Sequence, residues 1–302
     1  MSVIEPVSAP FDGILTASRG RAVRRGRSVI RAVFLGTGTS VGVPFIGCGC
    51  AVCTSSDPLN RRLRSSLWLK DDNRSVLIDC GPDFRAQALR AGLTWLDAVI
   101  LTHEHYDHIF GLDDLRQVRH PHDTERGLPI WGDEATIACV RRVFAYVFDG
   151  CDTGSAKPRL DLRELTDLDQ PFNIAGLSFL PVPVHHGTFQ VIGVRVGDLA
   201  YIPDCKQIPE ASLERLTGLD TLILDGLRRT PHNTHLHLDA ALELAQKIGA
   251  RQTYLTHLTH DYDQTCGDEG LPAGVHLAYD GLELEVTGIG SSASASCAPA
   301  AE

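Results

Sequence analysis

Three histidines and an aspartate fall within six residues, His103-Glu104-His105-Tyr106-Asp107-His108, just after the apolar run Ala98-Val99-Ile100-Leu101. Such a run reads as a buried strand, and Gly111-Leu112-Asp113-Asp114-Leu115 opens a helical pattern just beyond. Four metal-ligating side chains therefore stand on a short loop at the C-terminal end of a strand. Packing alone does not explain so many polar residues there. Their spacing decides what they can hold. His103 and His105 are two apart, point the same way in extended chain, and can pinch one ion. Asp107 and His108 are adjacent, point elsewhere, and can serve a second. Two divalent ions roughly 3.5–4 Å apart would activate a water and polarise a phosphoryl or carbonyl oxygen.

Later segments repeat the placement. Val182-Pro183-Val184-His185-His186-Gly187 puts histidine past an apolar strand, Leu199-Ala200-Tyr201-Ile202-Pro203-Asp204 a carboxylate, and Tyr254-Leu255-Thr256-His257 another histidine. Ligands at strand ends suit a sheet-borne site, because strands fix geometry and loops present side chains. Asp204 has two oxygens and can bridge two cations.

Gly47-Cys48-Gly49-Cys50-Ala51-Val52-Cys53 forms a separate constellation. Cys48, Cys50 and Cys53 read as three ligands of a structural zinc. His260, three residues after His257, supplies a fourth. A Cys48–Cys50 disulfide would close a strained ring. The other cysteines are too scattered for a disulfide framework, and Cys80, Cys139 and Cys205 read as small core residues.

These motifs resemble those of the metallo-β-lactamase-fold hydrolases. The three-cysteine segment just after Phe34-Leu35-Gly36-Thr37-Gly38-Thr39-Ser40 resembles the phosphoribosyl 1,2-cyclic phosphate phosphodiesterase (PhnP-type) group. So do Arg61-Arg62-Leu63-Arg64-Ser65-Ser66, Asp79-Cys80-Gly81-Pro82-Asp83 and Leu255-Thr256-His257-Leu258-Thr259-His260. The resemblance covers about residues 32–287. It implies an α/β (α+β) fold, the four-layer αββα metallo-β-lactamase sandwich. It also implies His103, His105 and His186 on one metal, Asp107, His108 and His257 on the other, and Asp204 between them. His186 is preferred to His185 because the group's ligand precedes a small residue. His235, in Pro231-His232-Asn233-Thr234-His235-Leu236-His237, falls where the group keeps a catalytic histidine that is not a ligand. Its role is to protonate the leaving alkoxide or hold the phosphoryl group; Asp107 counts as ligand and catalytic residue together. The stretch from about 120 to 160 aligns poorly with the group.

The implied activity is hydrolysis of a small cyclic phosphate ester by a dinuclear Zn or Mn centre, with one structural Zn apart. The alternatives are a cyclic-nucleotide phosphodiesterase, a nuclease or a thioesterase on the same metals, and last a non-catalytic metal-binding protein. His232 and His237 rival His235. Arg228 and Arg229 are candidates for a terminal phosphate, and Asp79 for a hydrogen bond to a metal-bound histidine.

Composition fits a cytoplasmic enzyme. Nine cysteines, three of them metal-spaced, suit a reducing compartment. No apolar run nears the ~20 residues of a membrane span. A net charge of −10 gives no strong nucleic-acid signal, so local charge must hold a small anionic substrate. A homodimer stays open. Residues 1–28, with five arginines between 19 and 27, read as a disordered basic extension. Residues 29–287 form the hydrolase domain and 288–302 a flexible tail. Strands are expected at 30–35, 66–69, 76–78, 98–101, 177–184, 191–196, 221–224 and 253–255. Helices are expected at 83–90, with Asp83 as cap, and at 112–118, 134–147, 209–215 and 238–247.

Overall fold

Alternation along the apolar strands divides each of them between two cores. In β1 (Ile30–Gly36), Ile30, Ala32 and Phe34 face one core while Val33 and Leu35 face another. The same split runs through β2 (Ser66–Lys70), β3 (Ser75–Ile78) and β4 (Ala98–Ile100). Leu67, Leu69, Val76, Ile78, Ala98 and Ile100 lie on the first side, Trp68, Leu77 and Val99 on the second. Strands buried on both faces read as continuous apolar runs rather than alternating ones.

The computed structural model describes residues 29–121, 127–151, 154 and 156–288. The expected basic extension and, apart from Gly288, the expected tail lie outside them. Among the described residues, β1–β4 join β5 (Leu128–Gly132), β6 (Leu160–Glu164) and β14 (Glu283–Val286) in one sheet, ordered β14-β1-β2-β3-β4-β5-β6. The second sheet holds β7 (Phe172–Ile174), β8 (Leu177–His186), β9 (Phe189–Val196), β10 (Leu199–Ile202), β11 (Thr221–Asp225), β12 (Gln252–Thr256) and β13 (Val275–Leu277). Its order is β13-β12-β11-β10-β9-β8-β7. Phe179, Val194, Tyr201 and Ile223 of this sheet share one core with Phe34, Leu67 and Ile78 of the other.

Helices cover both outer faces, as layered architectures require. Phe84 of α1 (Phe84–Ala91) and Cys139 and Val140 of α3 (Glu134–Val143) pack on the first sheet. Leu238 and Ala241 of α6 (Leu238–Ile248) pack on the second. Gly92 and Gly249, at φ 67° and 70°, end α1 and α6 in the left-handed conformation glycine accepts readily. Two shorter helices, α4 (Ala145–Phe148) and α5 (Glu210–Glu214), complete these layers, and α2 (Tyr106–Ile109) lies inside the histidine motif.

Several expectations need correction. Asp83 stands at the start of α1 but makes no capping bond. Its carboxylate accepts instead from the backbone N–H and guanidinium of Arg64, at 2.9 and 3.0 Å. The helix expected at 134–147 breaks at Phe144, and 112–118 is a 3-10 turn at Leu112–Gln117. Strands β5, β6, β7, β13 and β14 escape the sequence pattern. They are short, and β5 carries Pro129 and β6 three polar residues.

Strands β3, β4 and β5 run parallel, as do β10, β11, β12 and β13. Their C-terminal ends share one edge. There the sheets are stitched together: Ile192 N donates to Thr102 O at 3.1 Å, and Leu258 N to Thr37 O at 2.8 Å.

A candidate dinuclear metal centre

Backbone strain marks the edge where the polar residues gather. Asp79 follows β3 at φ 64° and His257 follows β12 at φ 58°. Non-glycine residues seldom adopt this conformation, and it concentrates at functional sites. The motif loop also lies unusually close to the segment after β3. A Cβ on Gly81 would stand 2.0 Å from Asp107 O, and Cys80 N donates to His108 O at 2.7 Å.

Two groups of donor atoms result, each within 4.8 Å: His103, His105, His186 and Asp204, and Asp107, His108 and His257. Asp204 offers one oxygen to each. Its Oδ2 is 3.7 Å from both His103 Nε2 and His186 Nε2. Its Oδ1 is 3.3 Å from His108 Nε2 and 3.4 Å from His257 Nε2. Asp107 Oδ2 closes the second group, 3.2 Å from His108 Nε2 and 3.3 Å from His257 Nε2. These are the edge lengths of a tetrahedron whose centre lies 2.0–2.2 Å from nitrogen and oxygen, about 3.3–3.6 Å. The buried atoms His108 Nε2 and Asp204 Oδ1 make no well-aligned hydrogen bond among the described residues and face only each other, Asp107 and His257, across 3.2–3.4 Å. Buried polar atoms are otherwise almost always paired, so this donor set fits a divalent cation. The first group is less regular, with His103 Nε2 only 2.9 Å from His105 Nδ1.

The outer nitrogens are anchored, which turns the inner ones toward the centre. His108 Nδ1 donates to Asp79 Oδ2 at 2.7 Å and His186 Nδ1 to Thr234 O at 2.8 Å. Thr102 Oγ1 lies 3.0 Å from His103 Nδ1 and also binds Asp79. Burial lowers the pKa of His103 and His186, leaving both as neutral imidazoles. Burial alone would raise Asp204, but His257 and then His108 hold it well below the usual carboxylate range. Against burial, Asp107, Asp79 and Asp204 raise His108 in turn, a proton that a cation there would displace. Neutral imidazoles and ionised carboxylates are the forms that bind metal. His186 reaches the cluster; His185 points to the other face of β8 and bridges to Gln207.

His235 stands beside this centre. Its Nε2 is 3.9 Å from Asp204 Oδ2, its ring stacks on His257 at 4.8 Å, and its Nδ1 donates to Asp225 at 2.8 Å. It also groups with Asp204 and His257 as a potential ligand trio. Burial works against its protonation, yet Asp225, then Asp204 and Asp107, raise its pKa to about 9. Asp225 escaped the sequence reading, although Thr221-Leu222-Ile223-Leu224-Asp225 obeys the strand-end rule that singled out Asp204. It is buried and also accepts from Cys205 N and Leu227 N, both at 3.0 Å.

The arginines expected near a phosphate donate instead to neighbouring backbone and to Asp261. Arg228 donates to Thr230 O and Pro231 O, at 3.1 and 2.6 Å, and Arg229 packs over Tyr262 beside Asp261. His232 lies 5.2 Å from His235, ring to ring, whereas His237 sits at the N-cap position of α6.

Cys48, Cys50, Cys53 and His260 form a further group. Their sulfurs lie 3.4, 3.6 and 3.3 Å from His260 Nδ1. A tetrahedral zinc at 2.3 Å from sulfur and 2.0–2.1 Å from nitrogen demands about 3.5 Å. Phe45 N and Cys53 N donate to Cys53 and Cys50 sulfur, and the Phe45 ring stacks on His260 at 4.0 Å. Cys80, Cys139 and Cys205 are buried.

Two facing sheets with histidines and carboxylates converging at one edge are the architecture of the metallo-β-lactamase fold. The chain belongs to the β-lactamase superfamily: the Beta-lactamase superfamily domain matches residues 74–258. It is similar to the crystal structure of a diphosphatase of the PhnP family. The two share 44% identity and a TM-score of 0.79 over 86% of this chain and 99% of that one. It is 39% identical over 257 residues to an octanoyltransferase of Porphyromonas gingivalis, covering 84% of this chain but 51% of that protein. The chain thus spans about half the length of that curated relative. Zn(2+)-bound PqqB of Methylobacterium extorquens shares the fold, at 20% identity and a TM-score of 0.68 over 85% of this chain and all of that one. No helix among the described residues is long and apolar enough to cross a membrane.

Proposed function

We propose that this chain is a dinuclear-metal phosphodiesterase that hydrolyses a small anionic cyclic phosphate ester of the phosphoribosyl 1,2-cyclic phosphate kind. The observation that carries the reading is Asp204, whose two oxygens each face one group of imidazoles, with a second histidine–carboxylate pair, His235–Asp225, alongside. The likeness to a PhnP-family diphosphatase supports phosphoryl chemistry. His103, His105, His186 and Asp204 would hold one cation, and Asp107, His108, His257 and Asp204 the other. Bound there, Zn or Mn would supply Lewis-acid charge and an activated water.

The remaining work falls to the protein's own groups. His235, whose pKa Asp225 raises against burial, would deliver a proton from Nε2 to the departing oxygen, as general acids do. Asp225 fixes the ring from the other side. Cations at Asp107 and Asp204 would cancel the share of those carboxylates in raising His235, leaving Asp225 as its anchor. Cys48, Cys50, Cys53 and His260 would hold a structural zinc that ties the loop after β1 to the segment after β12.

A second reading, hydrolysis of an acyl thioester on the same metals, is favoured by the octanoyltransferase relative. Hydrolysis of bis(p-nitrophenyl) phosphate and of a ribosyl cyclic phosphate, set against an octanoyl thioester, decides between them. Phosphodiester turnover that disappears on chelation and returns with Zn or Mn is the expected result. Turnover of the thioester alone would overturn the phosphodiesterase.

A further inference from the structure

Side chains hold much of the loop bearing His235, beside the backbone bonds of Leu236 and Leu238 at its end. The carbonyls of Thr230 and Pro231 accept from Arg228, those of His232 and His235 from Lys206, and that of Thr234 from His186 Nδ1. Lys206 is the hub. Its Nζ lies 2.6 Å from His232 O and 3.4 Å from His235 O. Its backbone N donates to His185 O at 2.6 Å, and it follows Asp204 by two residues. One residue thus joins the segment of Asp204, the strand of His186 and the loop of His235. Leu236 N donating to Cys205 O at 2.6 Å reinforces the same junction.

We propose that Lys206 is a positioning residue that sets the reach of His235 toward the leaving group; this rests on the phosphodiesterase reading. The ammonium has no part in the chemistry. Charge-assisted hydrogen bonds to the carbonyl of His232, and more weakly to that of His235 itself, fix where the loop runs. Asp225 holds the ring from its far side and accepts from Leu236 N at 3.3 Å just after it, so Lys206 anchors the part of the loop before and at His235. Misplacing a reacting group by about 1 Å can cost on the order of 10²-fold in rate.

A leaving-group series separates this role from general damage. A p-nitrophenolate leaves without a proton, whereas an alkoxide needs one. With two metals per chain confirmed by elemental analysis, Lys206→Met should lower kcat for a methyl phosphodiester about 10- to 100-fold. It should change kcat for bis(p-nitrophenyl) phosphate less than about threefold and leave both KM values within about twofold. Lys206→Arg, which can donate to both carbonyls, should recover part of the loss. His235→Ala is the control. If it shows the leaving-group dependence and Lys206→Met does not, the positioning role is wrong. If His235→Ala shows none, the acid itself is wrong. A readout without turnover stands beside these. Amide exchange in residues 230–237 should quicken at least about tenfold in Lys206→Met while residues 103–108 keep the wild-type rate. Unchanged exchange in 230–237 overturns the proposal even if no phosphodiester is a substrate.

Discussion

Asp79 and His108 meet at 2.7 Å with both side chains fully buried, one at the end of β3 and the other in the motif loop after β4. The carboxylate also accepts from Thr102 N at 2.8 Å and from Thr102 Oγ1 at 3.0 Å. Burial raises its pKa while His108 and Thr102 draw it back. One side chain therefore orients two imidazoles, His108 directly and His103 through Thr102.

From this follows the first prediction. Asp79→Asn keeps the size of the side chain but loses the anionic acceptor. Partners of this kind typically contribute 10- to 100-fold to metal affinity. The variant should bind catalytic metal about that much more weakly and recover most activity at saturating metal. A metal titration checks it; wild-type affinity would remove Asp79 from the site.

The close approach at Gly81 gives a second prediction. A Cβ there meets backbone rather than a movable side chain, 2.0 Å from Asp107 O and 2.9 Å from its carbonyl carbon. Gly81→Ala must displace the motif loop. It should lower activity at least as much as His103→Ala, by several orders of magnitude, whereas His103→Ala should leave the melting temperature nearly intact. Parallel activity and thermal-melt measurements on the two variants test the contrast.

How far the site was legible depended on one rule. A polar residue at the end of an apolar run is visible in sequence, and it exposes His103, the pair His185-His186, Asp204 and His257, with the family resemblance choosing His186. The same rule applies to Asp225, which closes the apolar run Leu222-Ile223-Leu224. Lys206 carries no such sign, since its partners are carbonyls 26 and 29 residues away in sequence. The central strands were legible because both faces are apolar. The edge strands β6 and β14 are not, and neither is β5 beside β6, because polar side chains and a proline interrupt the pattern there. The three-cysteine site announced itself by spacing, and it lies outside residues 74–258 that carry the superfamily match.

The His235–Asp225 pair predicts a pH dependence. His235 titrates near 6.5 unfolded and is raised to about 9 in the fold. Its stabilising contribution is therefore complete below about pH 6.5 and lost as pH rises through about 9. With metals absent, stability should decline across that window in wild type and much less in His235→Ala. In the metal-loaded enzyme, kcat for a methyl phosphodiester should fall on an alkaline limb at or below that value, as His235 loses its proton. An identical limb in His235→Ala would assign it to another group.

The final prediction concerns the group of three thiols and one imidazole. Cys48, Cys50 and Cys53 approach His260 across more than 200 residues of sequence, at 3.3–3.6 Å. Zinc there would bind only the folded chain, so its binding energy is also folding energy. Cys50→Ser should release one zinc and lower the melting temperature by several degrees. It should lower the activity of the surviving folded fraction far less. His260→Ala should behave alike, although its ring also loses the stack on Phe45. After mild chelation, wild type should retain one tightly held zinc beside two exchangeable ions. Rapid reaction of all three cysteines with a thiol reagent, with no zinc released, would show that the thiols hold no metal.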